Sequence, residues 1–209
     1  CFDLGDPIEV TYLPPISIAS AVSCDGTVAG NSIEFTITGG YPAILGGNYT
    51  VTNGGAGSLS SGSVGSGGTT SVTGLQDGDL AKIYVSDANN CIDSLSVIFD
   101  APNFSIVSTD ATDCGTTALD DGSATVNVTA GSGNGPGYSI DMNGNVTSGQ
   151  TATELNLSAG TNVDVVVTDV EGCATADNIT VGSLGVTIEA TNEVVEDLSC
   201  GGADDGSLS

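Results

Sequence analysis

Residues 33–38 read Ile33-Glu34-Phe35-Thr36-Ile37-Thr38, with an apolar residue at every second position. Similar alternation returns in the stretches Lys82-Ile83-Tyr84-Val85-Ser86 and Val163-Asp164-Val165-Val166-Val167-Thr168. Successive side chains of a strand point to opposite faces, so this pattern predicts strands with one buried face. Short strands with Gly, Asn and Asp at their ends, and turns about every 8 to 12 residues, predict Ig-like antiparallel β-sandwich domains. The predicted fold class is therefore all-β.

These strands belong to a repeated unit that six cysteines mark, at positions 1, 24, 91, 114, 173 and 200. An opening motif reads Ser23-Cys24-Asp25-Gly26 in one copy and Asp113-Cys114-Gly115 in the next. A closing motif reads Asp87-Ala88-Asn89-Asn90-Cys91 and then Asp169-Val170-Glu171-Gly172-Cys173. Self-similarity with a period of about 85 to 90 residues indicates an array of small domains. We predict the last strand of a preceding repeat at 1–14, complete repeats at 15–102 and 103–184, and the start of a third repeat at 185–209.

The charge of the chain excludes several classes of partner. It has 26 acidic residues and one basic residue, Lys82, and its net charge is −25. Phosphate binding requires Lys and Arg, so nucleic acids and anionic membrane surfaces are excluded. No apolar run approaches the length of a membrane span, and we expect no direct membrane insertion. The chain has no His, and nothing singles out one carboxylate pair as acid and base, so we do not expect an enzyme.

The cysteines predict disulfides and an oxidising, extracellular location, because they recur in register without His and without a C-x-x-C motif. Pairing within each repeat joins Cys24 to Cys91 and Cys114 to Cys173. An alternative uses the short gaps and joins Cys1–Cys24, Cys91–Cys114 and Cys173–Cys200. It requires each junction to fold back, whereas an extended junction separates the two sulfurs by about 70 Å. Pairing within a repeat in turn requires an even number of main strands between the two cysteines.

Aspartates beside glycine or asparagine are candidate calcium ligands, because Ca²⁺ prefers carboxylate and carbonyl oxygens. The same residues are common in tight turns, which is the alternative explanation. Calcium is the one cofactor that we consider. The candidate ligands are Asp87, Asp120, Asp121, Asp169, Asp204 and Asp205.

The repeat resembles the SprB-type repeat of large Bacteroidetes cell-surface adhesins. The resemblance rests on the Asp-Asp-Gly-Ser motif at 120–123 and 204–207, on the Gly-rich turn before Tyr, and on the closing motifs that end at Cys91 and Cys173. It covers both complete repeats and both fragments. It implies export by the type IX secretion system and a role in surface adhesion, gliding or appendage architecture. It implies no catalysis.

Two functions follow as hypotheses. In the first, the chain is a structural or adhesive stretch of a long extracellular fibre at the cell surface, with cell-surface glycans or other cells as partners and homo-oligomeric assembly in the full fibre. In the second, loops at one end of a domain bind a surface polysaccharide, with or without calcium. The second hypothesis rests on the Gly/Ser-rich stretch Gly55 to Gly68, predicted to be a mobile hairpin tip or loop, since functional loops are carried by rigid scaffolds.

Overall fold

The computed structural model describes residues 14–40, 47–114, 117–130 and 137–185, and at 113–114, 117–118 and 130 it describes the backbone alone. These residues form strands and a single turn of 3-10 helix, Val28–Gly30. The all-β prediction is therefore confirmed. The chain divides into two compact units, Cys1–Ala101 with Glu171–Ala174, and Pro102–Val170 with Thr175–Ser209. The predicted start of a third repeat lies outside the described residues, apart from its first residue.

Unit 1 contains eight strands among its described residues. They are β1 (Ser17–Val22), β2 (Ser32–Thr38), β3 (Asn48–Asn53), β4 (Ser58–Leu59), β5 (Ser63–Gly65), β6 (Thr69–Thr73), β7 (Leu80–Ser86) and β8 (Ile92–Ile98). One sheet has the order β1-β2-β6-β4 and the other has the order β5-β3-β7-β8, with antiparallel neighbours throughout. Two antiparallel sheets in this order form an Ig-like sandwich, as predicted.

The core of unit 1 follows from the alternation in its strands. Ile33, Phe35 and Ile37 of β2 point inward and are almost fully buried, while the two residues between them are half-buried. Tyr49 of β3 fills the same core, and its hydroxyl donates a hydrogen bond to the carbonyl of Gly39. Tyr138 occupies the core of unit 2. Both tyrosines therefore fill the sandwich, as expected from a chain with so few aromatic residues.

Unit 2 repeats this arrangement. Its strands are β9 (Asn103–Thr109), β10 (Ala111–Cys114), β11 (Thr117–Ala118), β12 (Gly122–Ala130), β13 (Ser139–Met142), β14 (Asn145–Ser148), β15 (Thr151–Leu157), β16 (Asn162–Thr168), β17 (Ala174–Thr180) and β18 (Ser183–Gly185). The main sheets are β15-β12-β9 and β14-β13-β16-β17. A small third sheet places β10 between β11 and β18, with β18 parallel to β10.

The stretch from Gly55 to Gly68, predicted to be a mobile hairpin tip or loop, contributes two short strands to the sandwich. It contains β4, which extends the first sheet of unit 1, and β5, which extends the second. Val64 of β5 is 5% exposed and belongs to the core. The Ser60 backbone N–H donates to the Ser71 carbonyl at 2.8 Å. Serine and glycine therefore occupy strand positions here, because β6 pairs with β4 and β3 pairs with β5.

The two cysteines of repeat 1 lie at opposite ends of the unit 1 sandwich. Asp87, in the turn that leads to Cys91, lies close to Gly40, and the Gly40 N–H donates to the Pro14 carbonyl at 2.8 Å, just before β1 begins. Cys24 follows the other end of β1. Six residues of extended chain span about 20 Å, which is far more than a disulfide bridges.

Candidate functional site

The opening loop of repeat 1, residues 24–31, is held by a chain of local hydrogen bonds. The carboxylate of Asp25 accepts from the Thr27 hydroxyl at 2.7 Å and from the Thr27 N–H at 3.0 Å. The Thr27 hydroxyl in turn accepts from the N–H of Gly30 at 3.0 Å and caps the 3-10 turn. First the hydroxyl and then the N–H of Thr27 hold the pKa of Asp25 below its ordinary value of 3.8. These bonds shape the loop that carries Cys24.

Asn31 ends the opening loop and is the buried polar residue of the site, with 1% of its surface exposed. Its side-chain oxygen accepts from the Ala174 N–H at 2.9 Å, and its side-chain nitrogen donates to the Ala174 carbonyl at 2.8 Å. The same nitrogen donates to the carbonyl of Leu75 at 3.1 Å. An amide that both accepts from and donates to one residue imitates the pairing of a neighbouring strand. Asn31 thus binds the backbone of a residue 143 positions away.

The closing turn of repeat 2, residues 169–174, supplies that partner. Its last four residues, Glu171–Ala174, belong to unit 1. The N–H of Gly26 donates to the Gly172 carbonyl at 2.8 Å. Gly172 has a φ of 83°, and a Cβ there would lie 3.3 Å from the carbonyl oxygen of Cys24. Glycine is favoured at this position because the backbone is left-handed and the opening loop approaches closely.

A disulfide completes the site. Cys24 is bonded to Cys173, with an S–S distance of 2.09 Å and a Cα–Cα distance of 4.9 Å. Cys173 is fully buried in the core of unit 1, and the half-buried Cys24 packs against that core. The bond closes a loop between residues 149 positions apart. In the chain-entropy account a closed loop of this size stabilises the folded state by at most about 5 kcal/mol.

The predicted pairing within repeats is therefore wrong. Cys24 does not bond to Cys91, and Cys173, bonded to Cys24, is not available to Cys114. The alternative pair Cys1–Cys24 is wrong for the same reason, as is Cys173–Cys200. The physical reason is the number of times that the chain crosses the sandwich between Cys24 and Cys91. It crosses five times: along β2, along β3, along β4 and β5 together, along β6, and along β7. An odd number of passes leaves the two cysteines at opposite ends of the sandwich.

The closing turn of repeat 1, residues 87–92, is held by its aspartate. The N–H groups of Asn89 and Cys91 both donate to the Asp87 carboxylate at 2.9 Å, and Asn90 is left-handed with a φ of 61°. Cys91 is an exposed free thiol. Ile92, which follows it, is 71% exposed, whereas the corresponding Ala174 is 1% exposed. The cysteine and the residue after it are therefore buried in one copy and exposed in the other.

The candidate calcium ligands act in turns. Asp121 accepts from the N–H and the hydroxyl of Thr112, both at 2.7 Å, and these bonds hold the pKa of Asp121 below 3.8. Asp120 accepts from the Ser158 hydroxyl. Asp87 organises its own turn, and Asp169 is buried at the corresponding position. Asp204 and Asp205 lie outside the described residues. Within the described ranges no three His, Cys, Asp or Glu side chains are grouped to hold a metal ion.

A shallow cleft of about 300 Å³ lies beside β14 and β15 in unit 2. It is lined by Met142, Asn145, Thr147 and residues 152–156, with Glu154 as its charged side chain. Carbohydrate sites commonly use exposed aromatic rings, and the lining of this cleft has none. Within the stretch from 55 to 68, residues 58–59 and 63–65 belong to strands, and the polysaccharide-binding loop stays a prediction.

Sequence reasoning missed Asn31, Gly172 and Ala174. One signal was available, because Asn31 stands before Ser32 where repeat 2 has Gly122 before Ser123. A second was the small Ala174 after Cys173, where repeat 1 has Ile92 after Cys91. In the part of the chain that the structure describes, no helix is long and apolar enough to cross a bilayer.

Neither a protein-family model nor a curated protein matches the chain. Among solved structures, it is similar to a C-terminal 282-residue fragment of intimin in complex with the intimin-binding domain of its translocated receptor, Tir, at 14% identity and a TM-score of 0.38. That match covers 82% of this chain and 64% of the intimin fragment. The chain is also similar to the fibronectin(III)-like modules of CbhA from Clostridium thermocellum, at 17% identity and a TM-score of 0.27, covering 84% of this chain and 100% of the other.

Proposed function

We propose that the chain is a structural and adhesive stretch of a long extracellular surface fibre, in which tandem Ig-like modules provide reach and display without catalysis. Because the repeat resembles the SprB-type repeat, we further propose that the fibre is a surface adhesin exported by the type IX secretion system. A net charge of −25 keeps neighbouring fibres apart and soluble.

The Cys24–Cys173 bond is the observation that carries the proposal. It joins the opening loop of one repeat to the closing turn of the next. A buried disulfide of this kind requires an oxidising compartment, which favours a secreted protein. A covalent link between successive repeats also suits an array that must keep its length when it is pulled.

Immunogold labelling of intact producing cells tests the location. Antibodies raised against residues 14–185 should label filaments that project from the surface, without permeabilisation. An antibody to a cytoplasmic protein, applied to the same cells, should give no label. Labelling that requires lysis would exclude a surface fibre.

A further inference from the structure

We propose that the closing turn of repeat 1, residues 87–92, is a docking site for the opening loop of another copy of this repeat, and that Cys91 forms a disulfide with the opening cysteine of that copy. The rule is that each opening cysteine bonds to the closing cysteine of the following repeat. This inference rests on the internal repeat and holds whether or not the fibre proposal is correct.

The bonded pair Cys24–Cys173 supplies the template. The turns at 87–92 and 169–174 share an aspartate four residues before the cysteine and a left-handed residue directly before it, Asn90 with a φ of 61° or Gly172 with a φ of 83°. In repeat 2, Cys173 and Ala174 of this turn are buried against the opening loop. In repeat 1, the equivalent Cys91 and Ile92 are exposed.

The chemistry of the template does not depend on the side chain that follows the cysteine. The hydrogen bonds from Asn31 to Ala174 go to the backbone N–H and carbonyl, and the bond from Gly26 goes to the carbonyl of Gly172. The corresponding atoms of Ile92 and Asn90 offer the same donors and acceptors. Because a Cβ at Gly172 would lie 3.3 Å from the Cys24 carbonyl oxygen, the opening loop has to shift by a few tenths of an ångström to admit the Cβ of Asn90. Ile92 is 71% exposed, and covering an apolar side chain of this size favours docking.

Bond formation needs a two-electron oxidant, for which a small disulfide such as oxidised glutathione suffices. The thiolate of the opening cysteine attacks the glutathione disulfide and releases one glutathione thiolate. The Cys91 thiolate then attacks the opening-cysteine sulfur of this mixed disulfide and releases the second. Two protein thiols lose two protons and two electrons, and one glutathione disulfide becomes two thiols.

A chain with residues 15–102 duplicated in tandem tests the rule, since it places an opening loop before a complete copy of repeat 1. Cys1, Cys114, Cys200 and the upstream Cys91 are replaced by Ser. Four cysteines remain: the upstream Cys24, the downstream Cys24, the downstream Cys91 and Cys173. Ser20→Thr in the upstream copy gives the two Cys24 peptides different masses. The chain is refolded in a glutathione redox buffer.

Peptide mapping without reduction should recover the upstream Cys24 bonded to the downstream Cys91, beside the downstream Cys24 bonded to Cys173. Maleimide should then label no cysteine of the folded duplicated chain. The unduplicated chain with the same Cys1, Cys114 and Cys200 replacements should be labelled once, at Cys91.

Two variants of the duplicated chain show whether the proposal fails or the chain misfolds. Upstream Cys24→Ser should restore full labelling of Cys91 while Cys173 stays bonded, which shows that the fold is intact. Upstream Asn31→Ala should slow formation of the Cys91 bond several-fold, because the backbone of Ile92 loses its partner. A reactive Cys91 in the duplicated chain with Cys173 correctly bonded, or an upstream Cys24 bonded elsewhere, overturns the proposal.

Discussion

At the scale of single residues, the site depends on the side-chain amide of Asn31. Three of its hydrogen bonds go to backbone atoms, two on Ala174 and one on Leu75. A buried backbone group that loses its hydrogen-bond partner destabilises the folded state by its full desolvation free energy. An asparagine suits this position because one small side chain supplies both an acceptor and two donors.

Asn31→Ala should lower the free energy of unfolding of unit 1 by about 1–3 kcal/mol, since it leaves the N–H and carbonyl of Ala174 without their partner. Urea unfolding of the oxidised chain measures the change. Asn145→Ala, on the exposed strand β14, is the matched control and should change stability by less than about 0.5 kcal/mol. Equal effects of the two substitutions would show that the amide of Asn31 is not a structural clamp.

Asp25 makes the opening loop sensitive to acid. The Thr27 hydroxyl and N–H bind its carboxylate and hold its pKa in the folded state below 3.8. A depressed carboxylate pKa contributes stability above the pKa of the unfolded chain, and this contribution is lost as the pH falls through the folded-state pKa.

The wild-type chain should therefore lose stability as the pH drops below about 4. Asp25→Asn should be less stable than the wild type at pH 6, with a difference that shrinks at pH 3. Urea midpoints at the two pH values test this, with exposed Asp177→Asn as the control. A difference that grows on acidification would contradict the assignment.

At the scale of elements, the dipeptide Asn-Gly forms a hairpin turn at one position of the chain and not at the other. Asn143-Gly144 forms the two-residue turn of the β13–β14 hairpin, with φ values of 51° and 89°, and Met142 pairs with Asn145. Asn53-Gly54 forms no such hairpin. The Gly54 N–H still donates to the carbonyl of Lys82 in β7. The Asn53 side chain accepts from the Gly55 N–H and donates to the Gly57 carbonyl as the chain crosses to the other sheet. Long-range pairing with β7 outweighs the local turn preference.

Val64→Ala tests whether the Gly/Ser-rich stretch is part of the fold. Val64 is 5% exposed in the core of unit 1, so its truncation should cost about 1–3 kcal/mol of unfolding free energy. Val146→Ala, at a valine that is 65% exposed in unit 2, should cost less than about 0.5 kcal/mol. Thermal and urea unfolding measure both. A neutral Val64→Ala would restore the earlier expectation of a mobile loop.

At the scale of the whole molecule, the disulfide defines the path of a pulling force. Tension applied to the two chain ends passes from Cys24 directly to Cys173, and the residues between them carry none of it. These two cysteines are 149 positions apart. An extended chain of that length spans about 500 Å, and the disulfide prevents this contour length from being extended.

Single-molecule pulling should show this withheld length. The oxidised chain should extend only over the residues outside the closed loop, and a reducing agent should release about 500 Å more. Cys173→Ser should release the full length without any reductant. Cys91→Ser is the control and should behave as the unmodified chain does, because Cys91 is free. Full extension of the oxidised chain would mean that the bond does not form.

The apolar/polar alternation of the sequence was sufficient to predict the strands and the sandwich. Alternation in Ile33 to Thr38 predicts β2, and the equivalent alternation in Ala124 to Thr129 predicts β12, because the period of a strand is a local property of the backbone. The inward tyrosines follow equally, since a core poor in aromatic residues has few other places for Tyr49 and Tyr138. The sequence repeat also identified which cysteines open a repeat and which close one.

The tertiary structure alone decided which cysteine meets which. Pairing depends on how many times the chain crosses the sandwich, and β4 with β5 added a crossing that a glycine- and serine-rich composition did not reveal. The role of Asn31 was equally hidden, because its partner Ala174 is 143 positions away and contributes only backbone atoms, which every residue has. Sequence patterns report local periodicity, whereas contacts between backbone groups brought together by distant segments leave almost no trace in the identity of the residues.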